Sequence, residues 1–357
     1  MIYLDYQATT PLAPEARDAM IKHLDGPGGV GFGNPHSPHR MGRQAAAAIE
    51  VARDKVAALF PSGGRVIFTG GATEALNLAI RGSGRGGTIA ASAIEHSAVL
   101  DTAEAVGPCH RLTMDKDGTC HPDQLWPDDT RLFAIMQVNN EIGTVQPLEK
   151  WAAFASHNDA LLLVDAVQAY GKMPLAQADM IAISAHKFHG PKGVGALWVR
   201  DGVELTEQQT GGGQEHGLRS GTLSPALIAG MGAAAALTAA RMDEDAAHVE
   251  ALWERARDMF ADWTLNGSAE ARWRGNLNIR REGLDVARLM SEVRTVMFSA
   301  GSACASGSGR TSHVLKAIGL SDAQAKSSIR LGFGRYTTLE ELEEAAKLIN
   351  NAAAQQF

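Results

Sequence analysis

Two lysines lie close together in the stretch ISAHKFHGPKGVGALWV, which covers residues 183–199. Lys187 follows MIAISAH, a run typical of a buried strand, whereas Lys192 lies in a Gly-Pro-Lys-Gly turn. A lysine at the end of a buried strand can form a Schiff base with an aldehyde when its surroundings lower the pKa of its amine. Because water in the turn would keep the amine of Lys192 charged, we assign this chemistry to Lys187.

An aldehyde cofactor with a pyridine ring and a phosphate needs three further groups, and the sequence offers a candidate for each. Asp165 ends the predicted strand LLLVD and would keep a ring nitrogen protonated. The stretch TGGATEA, residues 69–75, would bind a phosphate through backbone N–H groups at a helix N-terminus and through the Thr73 hydroxyl. His96 would lie flat against the ring. These candidates favour a pyridoxal-type site.

Polar residues follow several of the predicted strands. In open α/β sheets, ligands bind beyond the carboxyl ends of the strands. The residues in such positions are Gly70, Gly71, Ala72, Thr73, His96, Asn139, Asn140, Asp165 and Lys187. We therefore expect these residues to share one site.

The elements that must position this site are short apolar runs that alternate with amphipathic helical stretches. This alternation predicts a mostly parallel sheet covered by helices on both faces. The pattern changes after about Met242 to one that predicts an α+β unit. We predict a large domain over 14–242 and a small domain formed by 1–13 and 243–357, with a functional loop at about 299–312.

Composition narrows the classes of protein that this chain of 357 residues could represent. A net charge of −7 argues against a general nucleic-acid surface, and a run of about 18 uninterrupted apolar residues is lacking. Three cysteines without a CxxC pair argue against a disulfide framework or a structural zinc site. His186 and His189 lack the partners of a metal motif, so we expect no metal. We expect a cytoplasmic protein.

Ten stretches of the chain, in order, resemble those of one family. They are YLDYQATTP, GFGNPHSPHRMGRQA, VIFTGGATEALNLAI, EHSAV, VNNEIGTVQP, VDAVQAYGK, SAHKFHGPKGVGAL, GGGQEHGLRSGT, SAGSACASGSGRTSHVLKAIGL and SSIRLGFGRYTT. On these stretches the sequence resembles cysteine desulfurases of the iron–sulfur-cluster-assembly and nitrogen-fixation type, which belong to the class V aminotransferase superfamily and to the fold-type-I pyridoxal-phosphate enzymes. The resemblance implies a mostly parallel seven-stranded sheet between helices and a smaller α+β domain.

The resemblance also implies roles toward pyridoxal 5′-phosphate. Lys187 would carry the covalent link, Asp165 would pair with the ring nitrogen, and Gln168 would reach the ring hydroxyl. His96 would stack on the ring and move protons. Thr222 would reach the phosphate of the other subunit, which implies a homodimer. The remaining phosphate ligands would be Ala72, Thr73, Ser184 and His186.

For the substrate, the resemblance implies L-cysteine held by its carboxylate. The residues that would hold it are Asn34, Asn140 and Arg330. The Cys304 thiolate would attack the substrate sulfur, so that L-alanine leaves and a persulfide remains on Cys304. An acceptor protein such as an iron–sulfur scaffold would take this sulfur, and Cys304 would transiently ligate a cluster on that partner. The chain departs from the family's motifs at Gln7, Gly70, Leu76 and His216.

Three alternatives stay open beside the desulfurase. A related class V aminotransferase is disfavoured by Cys304 in its loop. A selenocysteine lyase is as compatible as a desulfurase, because selenocysteine and cysteine share one carbon frame. The alternative outside enzymes is an inactive sulfur carrier or assembly partner that keeps the fold, and the presence of Lys187, Asp165, His96 and Cys304 argues against it.

Overall fold

The computed structural model of the protein describes residues 1–29, 31–84, 86–301 and 311–357. The strands are β1 Ile2–Tyr3, β2 Gly64–Thr69, β3 Thr88–Ser92, β4 Cys109–Leu112, β5 Thr130–Ala134, β6 Leu161–Asp165, β7 Met180–Ser184, β8 Gly195–Arg200, β9 Thr264–Leu265, β10 Asn276–Arg280, β11 Val296–Met297, β12 Ser299–Ala300 and β13 Ser328–Gly332. The α-helices are α1 Pro14–Ile21, α2 Arg40–Ala57, α3 Ala72–Gly82, α4 Ser97–Val106, α5 Leu148–His157, α6 Pro225–Met259, α7 Val286–Glu292, α8 His313–Ala317, α9 Asp322–Lys326 and α10 Leu339–Ala354.

The largest sheet has seven strands in the order β2-β8-β7-β6-β5-β3-β4. Strand β8 runs antiparallel to both of its neighbours, and the other pairings are parallel. Every residue of β3, β6 and β7 is buried, as expected for central strands with both faces covered. The predicted fold class, a mostly parallel seven-stranded sheet between helices, is confirmed.

Alternating side chains of each strand enter different hydrophobic clusters, because successive residues point to opposite faces of a sheet. In β2, Phe68 packs with residues of α2, α5 and α6, whereas Ile67 packs with residues of α3 and α4. Phe133 and Leu132 of β5 divide in the same way. The sheet is therefore a middle layer between two layers of helices.

A second group of elements forms a separate hydrophobic cluster. It contains an antiparallel sheet in the order β12-β13-β10-β9 and the parallel pair β1 and β11. Residues of α7 and α10 cover these strands, and Ile2 and Leu4 of the N-terminal segment pack among them. This arrangement is the α+β part of the fold that the sequence predicts.

Helix α6 connects the two clusters. Its residues Met231 and Ala234 belong to the cluster of the large sheet, and Val249 and Leu252 belong to that of the smaller sheet. Met242, where the pattern of the sequence changes, lies inside this one continuous helix of 35 residues, and the domain division stays a prediction.

Within the described ranges, α6 alone is long and apolar enough to cross a membrane by length and composition. It packs against α1, α2 and α10 of the same chain. Small residues such as Gly230 and Gly232 allow this close approach, because a Cβ at Gly232 would lie 2.7 Å from atoms of Ala52 in α2. The apolar composition of α6 is thus explained by its packing against other helices of the same chain.

Candidate active site

A cavity of about 770 Å³ lies where several parallel strands of the large sheet end. The predicted site residues that line it are Ala72, Thr73, His96, Asn140, Asp165, Gln168, Ser184, His186, Lys187 and Arg330. Asn34 and Thr222 are not among its lining residues, and Cys304 lies outside the described residues. The strand-end rule therefore brings most of the predicted residues together.

Lys187 lies on a 3₁₀ turn, Ala185–Lys187, that directly follows β7. Its Nζ donates hydrogen bonds to the backbone oxygens of Gln7 at 2.6 Å and Ala8 at 2.8 Å. Lys192 is exposed at the same cavity. Lys187 is therefore oriented by the fold, as a lysine with a chemical role requires, while Lys192 faces water.

Asp165, the last residue of β6, is buried and lines the cavity. Its Oδ1 accepts a hydrogen bond of 2.9 Å from the backbone N–H of Val167. Burial raises the pKa of Asp165, while that hydrogen bond and the electrostatic influence of His96 and Lys187 lower it. A buried carboxylate with the Lys187 amine nearby suits a site that must hold a proton on a ring nitrogen.

The turn between β2 and α3 forms a glycine-rich wall of the cavity. Gly71 has a φ of +152°, a conformation that side chains other than glycine rarely adopt, and it directly precedes the first residue of α3. Among the described residues, no side chain caps this helix N-terminus. The first N–H groups of α3, together with the Thr73 and Ser184 hydroxyls, are suited to an anion such as a phosphate.

His186 adds a neutral polar group to this wall. Its Nδ1 lies 3.1 Å from the Thr9 hydroxyl. Burial and the charges of Lys187, Lys192 and Lys172 lower the pKa of His186 to about 4. At neutral pH the ring is therefore uncharged and can donate a hydrogen bond to an anion without adding charge.

His96 caps the N-terminus of α4, because its Nδ1 accepts a hydrogen bond of 3.1 Å from the backbone N–H of Ala98. A ring nitrogen that accepts carries no proton, so the proton of the neutral imidazole lies on Nε2. The cap also fixes the ring at the edge of the cavity. His96 is thus presented in a defined tautomer.

Glu95, the residue before His96, is a second buried carboxyl group near Asp165. Its Oε1 accepts hydrogen bonds of 2.6 Å from the Ser92 hydroxyl and from the Met136 N–H, while Oε2 has no partner among the described residues. Burial, with a contribution from the charge of Asp165, raises the pKa of Glu95 to about 8. Glu95 is therefore protonated at neutral pH, which leaves the negative charge to Asp165.

This pKa predicts a specific pH dependence of stability. The pKa of an ordinary glutamate is 4.5, so between pH 4.5 and about 8 the folded protein keeps a proton that the unfolded chain has lost. The free energy of unfolding should then fall by up to about 1.4 kcal/mol per pH unit across this interval. Glu95→Gln removes the titration, so its stability relative to the wild type should rise with pH. Thermal unfolding at pH 5.5 and 8 measures this difference.

The exposed residue Glu149 provides the control for that experiment. Glu149→Gln should leave the difference between the two pH values as it is in the wild type. If Glu95→Gln also showed no change relative to the wild type, Glu95 would be ionised in the folded protein at neutral pH.

Arg330, on β13, brings a cation from the smaller sheet to the cavity and is 1% exposed. Its Nη2 donates to Asp5 Oδ1 at 2.7 Å, and its Nη1 donates to the Asn140 backbone oxygen at 3.0 Å. Its Nε has no partner within the described part of the chain. A guanidinium in this setting is suited to a carboxylate ligand.

Comparison with known proteins places the chain in a family. The sequence profile described as Aminotransferase class-V matches residues 2–344. The chain belongs to the class-V aminotransferase family. It is 39% identical to "Cysteine desulfurase IscS" of Colwellia psychrerythraea over 98% of this chain and 92% of that protein. The resemblance to cysteine desulfurases in the sequence is thereby confirmed.

Two solved structures are also similar. A "NifS-like protein" has a TM-score of 0.90 and 31% identity, with 99% of each chain covered. "SspA in complex with cysteine" has a TM-score of 0.81 and 34% identity, covering 95% of this chain and all of that one. The class-V aminotransferase fold is thus shared along nearly the whole length.

Members of the class-V family use pyridoxal 5′-phosphate, and the cavity fits this group. The buried carboxyl of Asp165 matches a protonated ring nitrogen, and the open N-terminus of α3 with the neutral His186 matches a phosphate. The Lys187 amine lines the same cavity. The roles of the individual residues stay predictions of the sequence.

Several residues that the structure places at this site were not predicted from the sequence. The backbone oxygens of Gln7 and Ala8 hold Lys187, and Glu95 shares the buried region of Asp165. Backbone acceptors leave no mark in the residue types of a sequence. Glu95 could have been noticed because it directly precedes His96 in the stretch EHSAV.

Proposed function

We propose that this protein is a cysteine desulfurase, which removes sulfur from L-cysteine and releases L-alanine. The observation that carries the proposal is the meeting of Lys187, Asp165 and Arg330 with the glycine-rich turn before α3 in one cavity of a class-V chain. The relatives named cysteine desulfurase, which align along nearly the whole chain, support it. The similar structure described as a complex with cysteine supports this choice of substrate.

Pyridoxal phosphate would bind in the main cavity. Pyridoxal phosphate, when bound, supplies an aldehyde for amines and a ring that withdraws electrons from the substrate. Lys187 would hold the aldehyde end, and Asp165 would keep the ring nitrogen protonated. Gln168 would contact the ring hydroxyl. The phosphate ligands would be Ala72, Thr73, Ser184 and His186.

The substrate would be held through the negative charge of its carboxylate. Arg330 and Asn140 would bind the carboxylate of cysteine, with Asn34 assisting, and Asp5 would keep the guanidinium in place. The Lys187 amine, released from its role in holding the cofactor, would take the proton from the substrate Cα. His96 would hold or deliver protons through Nε2, the atom that its cap leaves with the ring proton.

Sulfur transfer would follow at Cys304, which lies outside the described residues. Its thiolate attacks the substrate sulfur, so that an S–S bond forms as the C–S bond breaks. The electron pair of the C–S bond passes to the carbon fragment, which takes up a proton and leaves as alanine. The sulfur remains as a persulfide on Cys304, ready for an acceptor such as an iron–sulfur scaffold protein, on which Cys304 would transiently ligate the cluster.

We propose a homodimer in which Thr222 completes the phosphate site of the partner subunit. Thr222 lines a neighbouring cavity of about 150 Å³ together with Gly70 and Gly193, and both glycines also line the main cavity. Thr222 is thus adjacent to the glycine-rich turn without facing the cavity of its own chain. A reducing compartment such as the cytoplasm suits a persulfide carrier.

Thr222→Ala should weaken binding of the cofactor by about 10- to 100-fold, the usual loss for one hydrogen bond to a charged group. Equilibrium titration of apoprotein with pyridoxal phosphate, followed by absorbance, measures the change. The exposed Thr264 on β9 supplies a control, and Thr264→Ala should bind as the wild type does. Equal affinity of the Thr222 variant and the wild type would argue against a contact across the dimer.

The test of the function is the identity and amount of its products. With L-cysteine and a thiol reductant, alanine and sulfide should appear in equal amounts. Selenocysteine in place of cysteine distinguishes a selenocysteine lyase, which would prefer it by a large factor. A keto acid in place of alanine would point to an aminotransferase, and a lack of any product would favour an inactive sulfur carrier.

A further inference from the structure

A second lysine, Lys172, lies close to the cofactor lysine and has no role in the chemistry described so far. Its Nζ donates a hydrogen bond of 3.0 Å to Oε1 of Gln168, which precedes it by four residues. Gln168 is buried and lines the main cavity. Lys172 therefore contacts the site indirectly, through Gln168, which lines the main cavity.

The bond from Lys172 determines which way the Gln168 amide faces. A lysine ammonium group only donates, so the oxygen of the amide must face Lys172 and its NH₂ group must face away. Gln168 Nε2 indeed donates to the Gln7 backbone oxygen at 2.9 Å. The same oxygen accepts the bond from Lys187 Nζ at 2.6 Å. Three hydrogen bonds thus connect the two lysine side chains.

The surroundings of Lys172 leave its charge uncompensated. A small cavity of about 40 Å³ is bordered by Lys172, Lys187 and His189, together with Asp245 and Arg335. Asp245 is the anion of this group, and it accepts bonds from Arg335, with Nε at 2.8 Å. Among the described residues, Lys172 forms no ion pair with a carboxylate.

Other neighbours of Lys172 do not neutralise it either. Its Nζ lies 5.9 Å from the centre of the Trp273 ring, which gives a weak cation–π contact. Burial and the charge of Lys187 lower the pKa of Lys172 to about 7, and burial lowers that of His189 to about 4. Protonating Lys172 and protonating the amine of Lys187 are therefore competing events.

We propose that Lys172 is a positioning residue, which orients the Gln168 amide so that its NH₂ group faces the cofactor side and adds a positive charge beside Lys187. This inference rests on the proposed function, because it assigns Lys172 a role toward bound pyridoxal phosphate. The oriented amide offers a donor to the ring hydroxyl. The adjacent charge would disfavour the proton on Lys187 Nζ in its linkage to the cofactor, so this linkage would lose its proton at a lower pH.

The test is a pH titration of the visible absorbance of the cofactor-loaded protein, which reports the protonation of that linkage. Lys172→Met should raise the midpoint by about one pH unit, a tenfold change in proton affinity that matches the loss of one nearby charge. Lys172→Arg keeps the charge and should titrate within a few tenths of a unit of the wild type. Lys150, exposed on α5, gives the control Lys150→Met, which should leave the midpoint unchanged.

The outcomes separate this inference from the proposed function. A folded, cofactor-loaded Lys172→Met protein that titrates like the wild type would overturn the role of Lys172. If Lys172→Met failed to fold by circular dichroism, Lys172→Gln would be titrated under the same criterion. If wild-type protein bound the cofactor and Lys172→Met showed the predicted shift, yet the wild type made no alanine from cysteine, the proposed function alone would be overturned. A wild-type protein that bound no cofactor would overturn both.

Discussion

Replacing Lys187 with alanine should lower turnover of L-cysteine by about 10²–10⁴-fold or more, the range for loss of a positioned proton-transfer group. Two roles are lost together, because the same amine would hold the cofactor and take the substrate proton. The visible absorbance of the cofactor–lysine linkage should also disappear. Alanine formation and absorbance spectra of the purified variant provide the measurement.

Lys192 provides the matched control for the replacement of Lys187. Lys192 is exposed at the same cavity, in the turn that precedes β8, and Lys192→Ala should retain the absorbance of the covalent linkage. The Lys187 variant loses hydrogen bonds to Gln7 and Ala8, so circular dichroism must show that it is folded. A folded Lys187→Ala protein with wild-type turnover would contradict the assignment.

Cys304→Ala should reduce sulfide release to background while leaving the cofactor spectrum and its change on addition of cysteine intact. The reason is that only the last step, attack on the substrate sulfur, requires a thiolate. Sulfide measured in the presence of a reductant, together with absorbance, separates this step from the earlier ones. A second readout is the persulfide itself, which mass spectrometry should find on wild-type protein and not on the variant.

The other two cysteines serve as internal controls. Burial raises the pKa of Cys120 to about 12, and burial also raises the pKa of Cys109. Both thiols are therefore protonated at neutral pH and poorly nucleophilic. Cys109→Ala should release sulfide at the wild-type rate. Persulfide found on Cys109 or Cys120 in the Cys304 variant, with turnover preserved, would show that Cys304 is dispensable.

The strand-end positions of the site could be predicted from the sequence because they follow from local patterns. Asp165 ends a run of buried residues, and Lys187 follows another such run, so a parallel sheet must bring them to the same edge. The glycine-rich turn before α3 was predictable for the same reason. Gly71, with its positive φ, shows why a glycine is needed there.

Contacts between distant segments could not be predicted in this way. The backbone oxygen of Gln7 meets Lys187 across a separation of 180 residues, and Arg330 reaches Asp5 across 325. The environment of Glu95 depends on how Met136 and Asp165 pack around it. Such burial and pairing arise only when the strands are assembled, and periodicity in one segment carries no information about them.

The continuity of α6 shows a related limit. The sequence changes character near Met242 because the helix leaves one hydrophobic cluster and enters another, and its own hydrogen bonds continue unbroken. The change of pattern near Met242 therefore marks a change of packing partners within one helix. Thr222 differs again, since the contact predicted for it involves a second subunit and cannot be seen in one chain.

The most direct test of the covalent chemistry is reduction of the cofactor-loaded protein with borohydride, followed by digestion and peptide mass spectrometry. We predict that the phosphopyridoxyl group will be found on Lys187. This lysine lies directly after the buried strand β7, and its side chain lines the cavity together with Asp165. Modification of Lys172 or Lys192 instead, or protein that binds pyridoxal phosphate with no lysine modified, would contradict it.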